Sequence, residues 1–177
     1  EMIADWLIKN DETAKNLAKS DREAFEVAVR MAAGSLGRAI GLCDKKHADE
    51  CLKSWRTAET YLKLLAGRSK PGGELAFYEY ATKLATQKQR SELSEIYSLL
   101  SAAVRDLIAS KLTKSFKPEF FVTEKDAASI ADDYTTQKLM RLFDIFNDAA
   151  DELGHNINLQ LSQSRTAMLA MSAAAGR

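Results

Sequence analysis

Residues 90–112 read RSELSEIYSLLSAAVRDLIASKL, and Leu93, Ile96, Tyr97, Leu100, Val104, Leu107 and Ile108 recur within them at the three-and-four spacing of one helix face. That run keeps one side apolar for about five turns, which makes it the expected centre of a core. Working outward from it, helical periodicity continues in both directions and no stretch shows sustained strand alternation. An all-α fold without a sheet is expected.

Toward the N-terminus, residues 75–86 fit a helix, preceded by Gly67, Arg68, Ser69, Lys70, Pro71, Gly72 and Gly73, which read as a flexible link. Before it, residues 47–65 carry Leu52, Trp55, Leu62 and Leu65 on a longer helix. Gly34 is expected to close one helix and Ser35 to cap the short one that follows, through Leu42. The preceding helix is expected to open at Ser20, because Glu23 three residues later completes a capping box. Its stripe is Phe25, Val29 and Ala32, with Ala28 beside it. A short first helix fits residues 2–9, with Ile3, Trp6 and Leu7 on one face. The break in character falls near residues 44–46, between a three-helix unit over residues 1–44 and a helical bundle over residues 45–177.

Toward the C-terminus, residues 111–122 form a connection that holds Pro118, and Thr123 with Asp126 resembles a cap opening a short helix to Asp132. A helix over residues 136–153 carries Leu139, Leu142, Phe143 and Phe146 and stops at Gly154. Asn158 can cap the last helix, which is expected to bury Leu161, Met168 and Leu169 and to fray from Ser172 onward.

Composition narrows the functional classes. Lys plus Arg equals Asp plus Glu at 25 each, so no net positive field draws nucleic acid or an anionic membrane. No apolar run reaches the roughly 20 residues of a membrane span. Cys43 and Cys51 are the only cysteines, and two reduced, partly buried thiols in a cytoplasmic protein are expected rather than a disulfide or zinc framework. The chain opens on Glu1 with no signal-peptide order, and is read as a cut inside a longer protein.

Glu152 and His155 have the Glu-x-x-His spacing of di-iron bundles, which need that pair twice with two further glutamates. His47, the other histidine, has no glutamate three residues before it, so a structural role is expected. Lys111, Lys114 and Lys117 around Phe116 make a small basic cluster, read as a solvated loop. Residues 67–73 lack the Gly-x-x-x-x-Gly-Lys-[Ser/Thr] order that cradles phosphate. No nucleophile with a paired base stands out. The expectation is a chain with no catalytic residue, no cofactor and no metal.

Ala32, Ala33, Gly34, Ser35, Leu36, Gly37, Arg38, Ala39, Ile40, Gly41 and Leu42 resemble the Ala-x-Gly-Ser-x-Gly-Arg-Ala-x-x-Leu signature in the lid of bacterial DNA polymerase III clamp-loader delta-prime subunits. Further along, Leu93, Leu100, Arg105, Asp106, Leu107 and Lys111, and then Asn156, Ile157, Asn158 and Leu161, are similar in order to that family's collar. The resemblance covers the whole chain. It implies a remnant of the AAA+ lid over residues 1–44 and a collar over residues 45–177, with the nucleotide-binding module absent. It also implies cytoplasmic work in DNA replication beside gamma or tau and delta subunits, with primer-template DNA and the sliding clamp met only through the assembly.

Within that family, ATP-binding subunits carry a sensor arginine where this chain has Gly37. Arg38 lies one position later, about 100° around the helix, and is expected to miss a nucleotide and pair with a surface carboxylate. An ATP-binding gamma/tau-type lid and collar is therefore the alternative, and an unrelated helical adaptor a further one. Phe146, Ile157, Leu161 and Leu169 are the expected collar contacts.

Overall fold

The computed structural model describes residues 2–176. Among them are ten α-helices and no strand, so the all-α expectation holds. The helices are α1 Met2–Asn10, α2 Glu12–Ser20, α3 Arg22–Met31, α4 Leu36–Leu42, α5 Lys45–Ala66, α6 Gly73–Gln87, α7 Arg90–Leu112, α8 Glu124–Ala131, α9 Thr136–Glu152 and α10 Leu159–Ala175. The chain divides into two compact units, Glu1–Arg56 and Thr57–Arg177. The division falls inside α5, whereas the sequence places a change of character near residues 44–46.

In the first unit, residues 1–44 carry four helices rather than three. The added one, α2, is mostly polar and anchors only Ala14 and Leu17 in the core. Each of the first junctions is set by an aspartate. Asp11 Oδ1 accepts from Ala14 N at 2.7 Å, and Asp21 Oδ1 accepts from Ala24 N at 3.0 Å, each satisfying an amide that the new helix leaves unmet. Asp21 thus takes the capping role expected of Ser20, whose hydroxyl instead donates to Leu17 O. The buried stripe of α3 is Ala24, Phe25, Val27, Ala28 and Met31, with Val29 only half-buried. Of the expected α1 face, Leu7 alone is buried.

Ala33 and Gly34 both adopt positive φ, 48° and 83°, which reverses the chain before Ser35 Oγ accepts from Arg38 N at 3.3 Å and opens α4. Cys43 and Cys51 are buried and are not joined in a disulfide. Desolvation, aided by the negative charge of Asp11, pushes the Cys43 thiol up to about 11. Arg56 reaches back to Glu23 at 2.7 Å on the surface.

The second unit is built around α7, which packs along α9 and against α8. Leu93, Ile96, Tyr97, Leu100, Val104 and Leu107 are buried as the sequence reading expects, and Ile108 is half-buried. Tyr61, Phe77, Tyr97 and Phe146 form its aromatic centre. Tyr61 meets Phe77 edge-on at 4.9 Å and Phe146 at 5.8 Å, while Tyr97 stacks on Phe146 at 6.2 Å.

Asp106 is a buried carboxylate with an evident purpose. It accepts from Glu119 N at 3.1 Å, Phe120 N at 2.8 Å and Phe121 N at 3.2 Å. Three amides of the loop after Pro118 are thereby satisfied, and Phe120 and Phe121 are drawn into the core. Thr123 and Asp126 then close the expected reciprocal cap, Asp126 N to Thr123 Oγ1 at 3.2 Å and Thr123 N to Asp126 Oδ2 at 3.0 Å.

Residues 67–73 are not a flexible link. Gly67–Ser69 makes a 3₁₀ turn and Arg68 is buried. Gly73 is required there, because a Cβ would strike Gly67 O and come within 2.9 Å of Arg68 O.

Candidate interaction surface

α10 is assembled from both ends inward. Asn158 Oδ1 accepts from Leu161 N at 3.1 Å and starts the helix, and Gly176, at φ 83°, closes it in the left-handed conformation. One face packs on α6 and α9 through Gln163, Thr166, Ala167, Ala170, Ala173 and Ala174. The helix continues past Ser172, where fraying is expected, to Ala175, with Ala173 and Ala174 buried, and Arg177 lies outside the described residues.

Most of this buried face is alanine, so backbones approach closely and polar bonds supply part of the hold. Tyr97 Oη donates to Gln163 Oε1 at 2.6 Å. Burial pushes the Tyr97 hydroxyl far above its ordinary value, only partly offset by the Thr166 and Gln163 bonds. On the solvent side, Arg165 pairs with Glu152 at the end of α9.

The opposite face of α10 is apolar and uncovered. Leu161 is 72% exposed, Met168 60% and Leu169 42%, which corrects the expectation that all three are buried. Leu161 and Met168, seven residues apart, lie within about 20° of each other around the axis, and Leu169 lies about 80° from Leu161. Ser164, Met171 and Ala175, each half-buried, continue the line from Leu161 and Met168 at alternating spacings of three and four. α10 thus shows apolar residues to the core and to solvent alike. Its 17 residues contain no acid and one base, Arg165.

The other expected contacts fare differently. Phe146 is fully buried in the aromatic centre, so it is core and presents no surface. Ile157 is half-buried in the α9–α10 connection. The spacing of Met168 suits a core position, but the rotation of α10 turns it to solvent.

Glu152 is committed to Arg165 and to Ser162 Oγ, at 3.4 Å from the hydroxyl, and His155 is exposed. Among the described residues, no group of His, Cys, Asp or Glu could hold a metal ion. Lys111, Lys114 and Lys117 are exposed beside a half-buried Phe116, whose amide donates to Glu124 Oε1 at 3.2 Å.

In the first unit, Gly34, Ser35, Gly37 and Arg38 are exposed on the α4 turn, Leu36 is half-buried and Ala39 is fully buried. Arg38 forms no ion pair with the described residues, against the expected surface pairing. Nothing lies within 4 Å of where a Gly37 side chain would begin, so packing does not demand glycine there.

No described helix is long and apolar enough to cross a membrane. No protein-family model, curated protein or solved structure matches this chain.

Proposed function

We propose that this chain is a structural piece of a bacterial DNA polymerase III clamp loader of the delta-prime type. In that reading, a lid remnant over residues 1–44 precedes a collar that joins gamma or tau and delta subunits in the cytoplasm. The observation that carries the assembly role is α10, a surface helix with apolar residues on its outer face as well as its inner one. Three large apolar side chains left exposed on one helix, Leu161, Met168 and Leu169, support a protein contact there.

The specific family rests on the resemblance of Gly34, Ser35, Leu36, Gly37, Arg38 and Ala39, which stand on a capped turn and helix. The work of such a subunit is burial of helix faces rather than bond chemistry. Covering Leu161, Met168 and Leu169 contributes about 1.5–3 kcal/mol for each fully buried side chain, before the cost of association. DNA and the sliding clamp are met through the assembly. Glycine at position 37 supports the non-hydrolysing reading over the ATP-binding one, since no atom lies within 4 Å of where a side chain would begin and packing does not itself demand glycine there.

Light scattering after size exclusion tests this, with the chain alone and mixed with collar-containing gamma or tau and delta subunits. A defined mixed complex is expected. No association at tens of micromolar, with every partner folded, would remove the clamp-loader reading.

A further inference from the structure

Three polar atoms in the core of the second unit have no hydrogen-bond partner in the protein: Tyr61 Oη, Ser101 Oγ and Gln163 Nε2. Their residues are 0%, 6% and 1% exposed, so bulk solvent does not reach them. A buried hydroxyl or amide left unmet is costly enough that folded proteins rarely keep one.

The three belong to one neighbourhood. Tyr97 Oη donates to Gln163 Oε1 at 2.6 Å, which brings the unmet end of that amide beside α7. Ser101 follows Tyr97 by four residues on α7 and so shares its face. Tyr61 and Tyr97 both lie against the Phe146 ring, with centroids 5.8 and 6.2 Å from it. The two tyrosines are also near enough for Tyr97 to oppose ionisation of Tyr61.

The usual local remedies are not taken. Ser98, Ser110 and Thr113 each turn the hydroxyl back to a carbonyl of α7, at 2.9, 2.8 and 2.8 Å, the common resort of a helical hydroxyl. Ser101 does not. Turning the Gln163 amide over would not help it, since Nε2 would then meet Tyr97 and Oε1 would become the unmet end. Two hydroxyls that donate and accept, with one amide that donates, form a neutral set. The ligand that matches such a set is water, which gives two protons and accepts two.

We infer that Tyr61, Ser101 and Gln163 build an internal site for ordered water, which completes the polar tie between α7 and α10 begun by Tyr97 and Gln163. The alanine-rich face of α10 is then seated on α6 and α9 by close packing and on α7 by a hydrated hydrogen-bond network. The site is independent of the clamp-loader reading, and its test needs no partner.

The sign of a stability change separates a hydrated seam from an unmet one. Tyr61→Phe and Ser101→Ala in the whole chain each delete one hydroxyl. If water meets that hydroxyl, its loss should lower the thermal unfolding midpoint by about 2–4 °C, the scale of one hydrogen bond in a chain of this size. If nothing meets it, its removal should leave the midpoint unchanged or raise it, and that result in both variants would overturn the site. A crystal structure of the wild-type chain decides directly, including where Tyr61→Phe does not fold. Density for a water within about 3.2 Å of at least two of the three atoms is expected. Rotamers that give all three atoms protein partners, or a seam without such density, would overturn it.

Discussion

α9 and α10 are neighbours of equal length, 17 residues each, and they solve the same packing problem in opposite ways. α9 keeps Leu139, Leu142, Phe146 and Ala149 to the core and spreads Lys138, Arg141, Asp144, Asp148, Asp151 and Glu152 along its sequence. Its outer face is mostly charged, with Met140 the exposed large apolar side chain among them. α10 has the lone charge of Arg165, a core face made mostly of alanine and an outer face of leucine and methionine. The lesson is that a helix can be well placed in its own unit on one side and leave large apolar side chains uncovered on the other, which is the face proposed above for assembly.

The largest effect expected from this contrast is in the α9 core. Phe146→Ala should cost about 3–5 kcal/mol in denaturant unfolding, since its ring meets both Tyr61 and Tyr97. A loss below about 1 kcal/mol would return Phe146 to the list of surface contacts. Next comes the polar hold on α10. Tyr97→Phe should cost about 1–3 kcal/mol by leaving Gln163, itself buried, without its donor. A neutral result would mean that alanine packing alone seats the helix.

A pH titration sharpens the same point. Burial raises the hydroxyls of Tyr61 and Tyr97 well above the ordinary tyrosine value of 10.0, so the folded state keeps protons that the unfolded state loses. The stability they contribute is complete below pH 10 and falls as pH rises above it. Tyrosinate absorbance from these two rings should therefore appear together with unfolding measured by circular dichroism. Ionisation well before unfolding would contradict their burial. The smallest effect belongs to the outer face: Leu161→Ala and Met168→Ala should each move stability by less than about 0.5 kcal/mol. A larger loss in either would show that the residue packs within its own unit.

The same contrast explains what the sequence made legible. α7 and α9 were readable because one strong apolar stripe gives a helix both its existence and its rotation. α10 was readable as a helix, through Asn158 and the Leu161 to Met168 spacing, but a helix apolar on two sides carries no phase, and the wrong side was assigned to the core. α2 carries little periodic signal because Ala14 and Leu17 are its only buried residues. Ser20 and Asp21 both suit the cap of α3, and in the fold the aspartate takes it, one residue later than the Ser20 reading expects. Asp106 was visible as part of an Arg-Asp-Leu run, though its three amide partners lie 13 to 15 residues away. Arg68 and Arg90 gave no signal, since their acceptors are main-chain carbonyls up to 106 residues distant.

The central claim is that the outer face of α10 is an assembly surface. It is tested most directly by the affinity of a Leu161→Asp, Met168→Asp double variant for a preformed complex of gamma or tau with delta, measured beside wild type with thermal unfolding of both. The account predicts a loss of affinity of about a hundredfold or more, from two buried unpaired carboxylates, with an unchanged unfolding midpoint. Equal affinity for wild type and variant would contradict it.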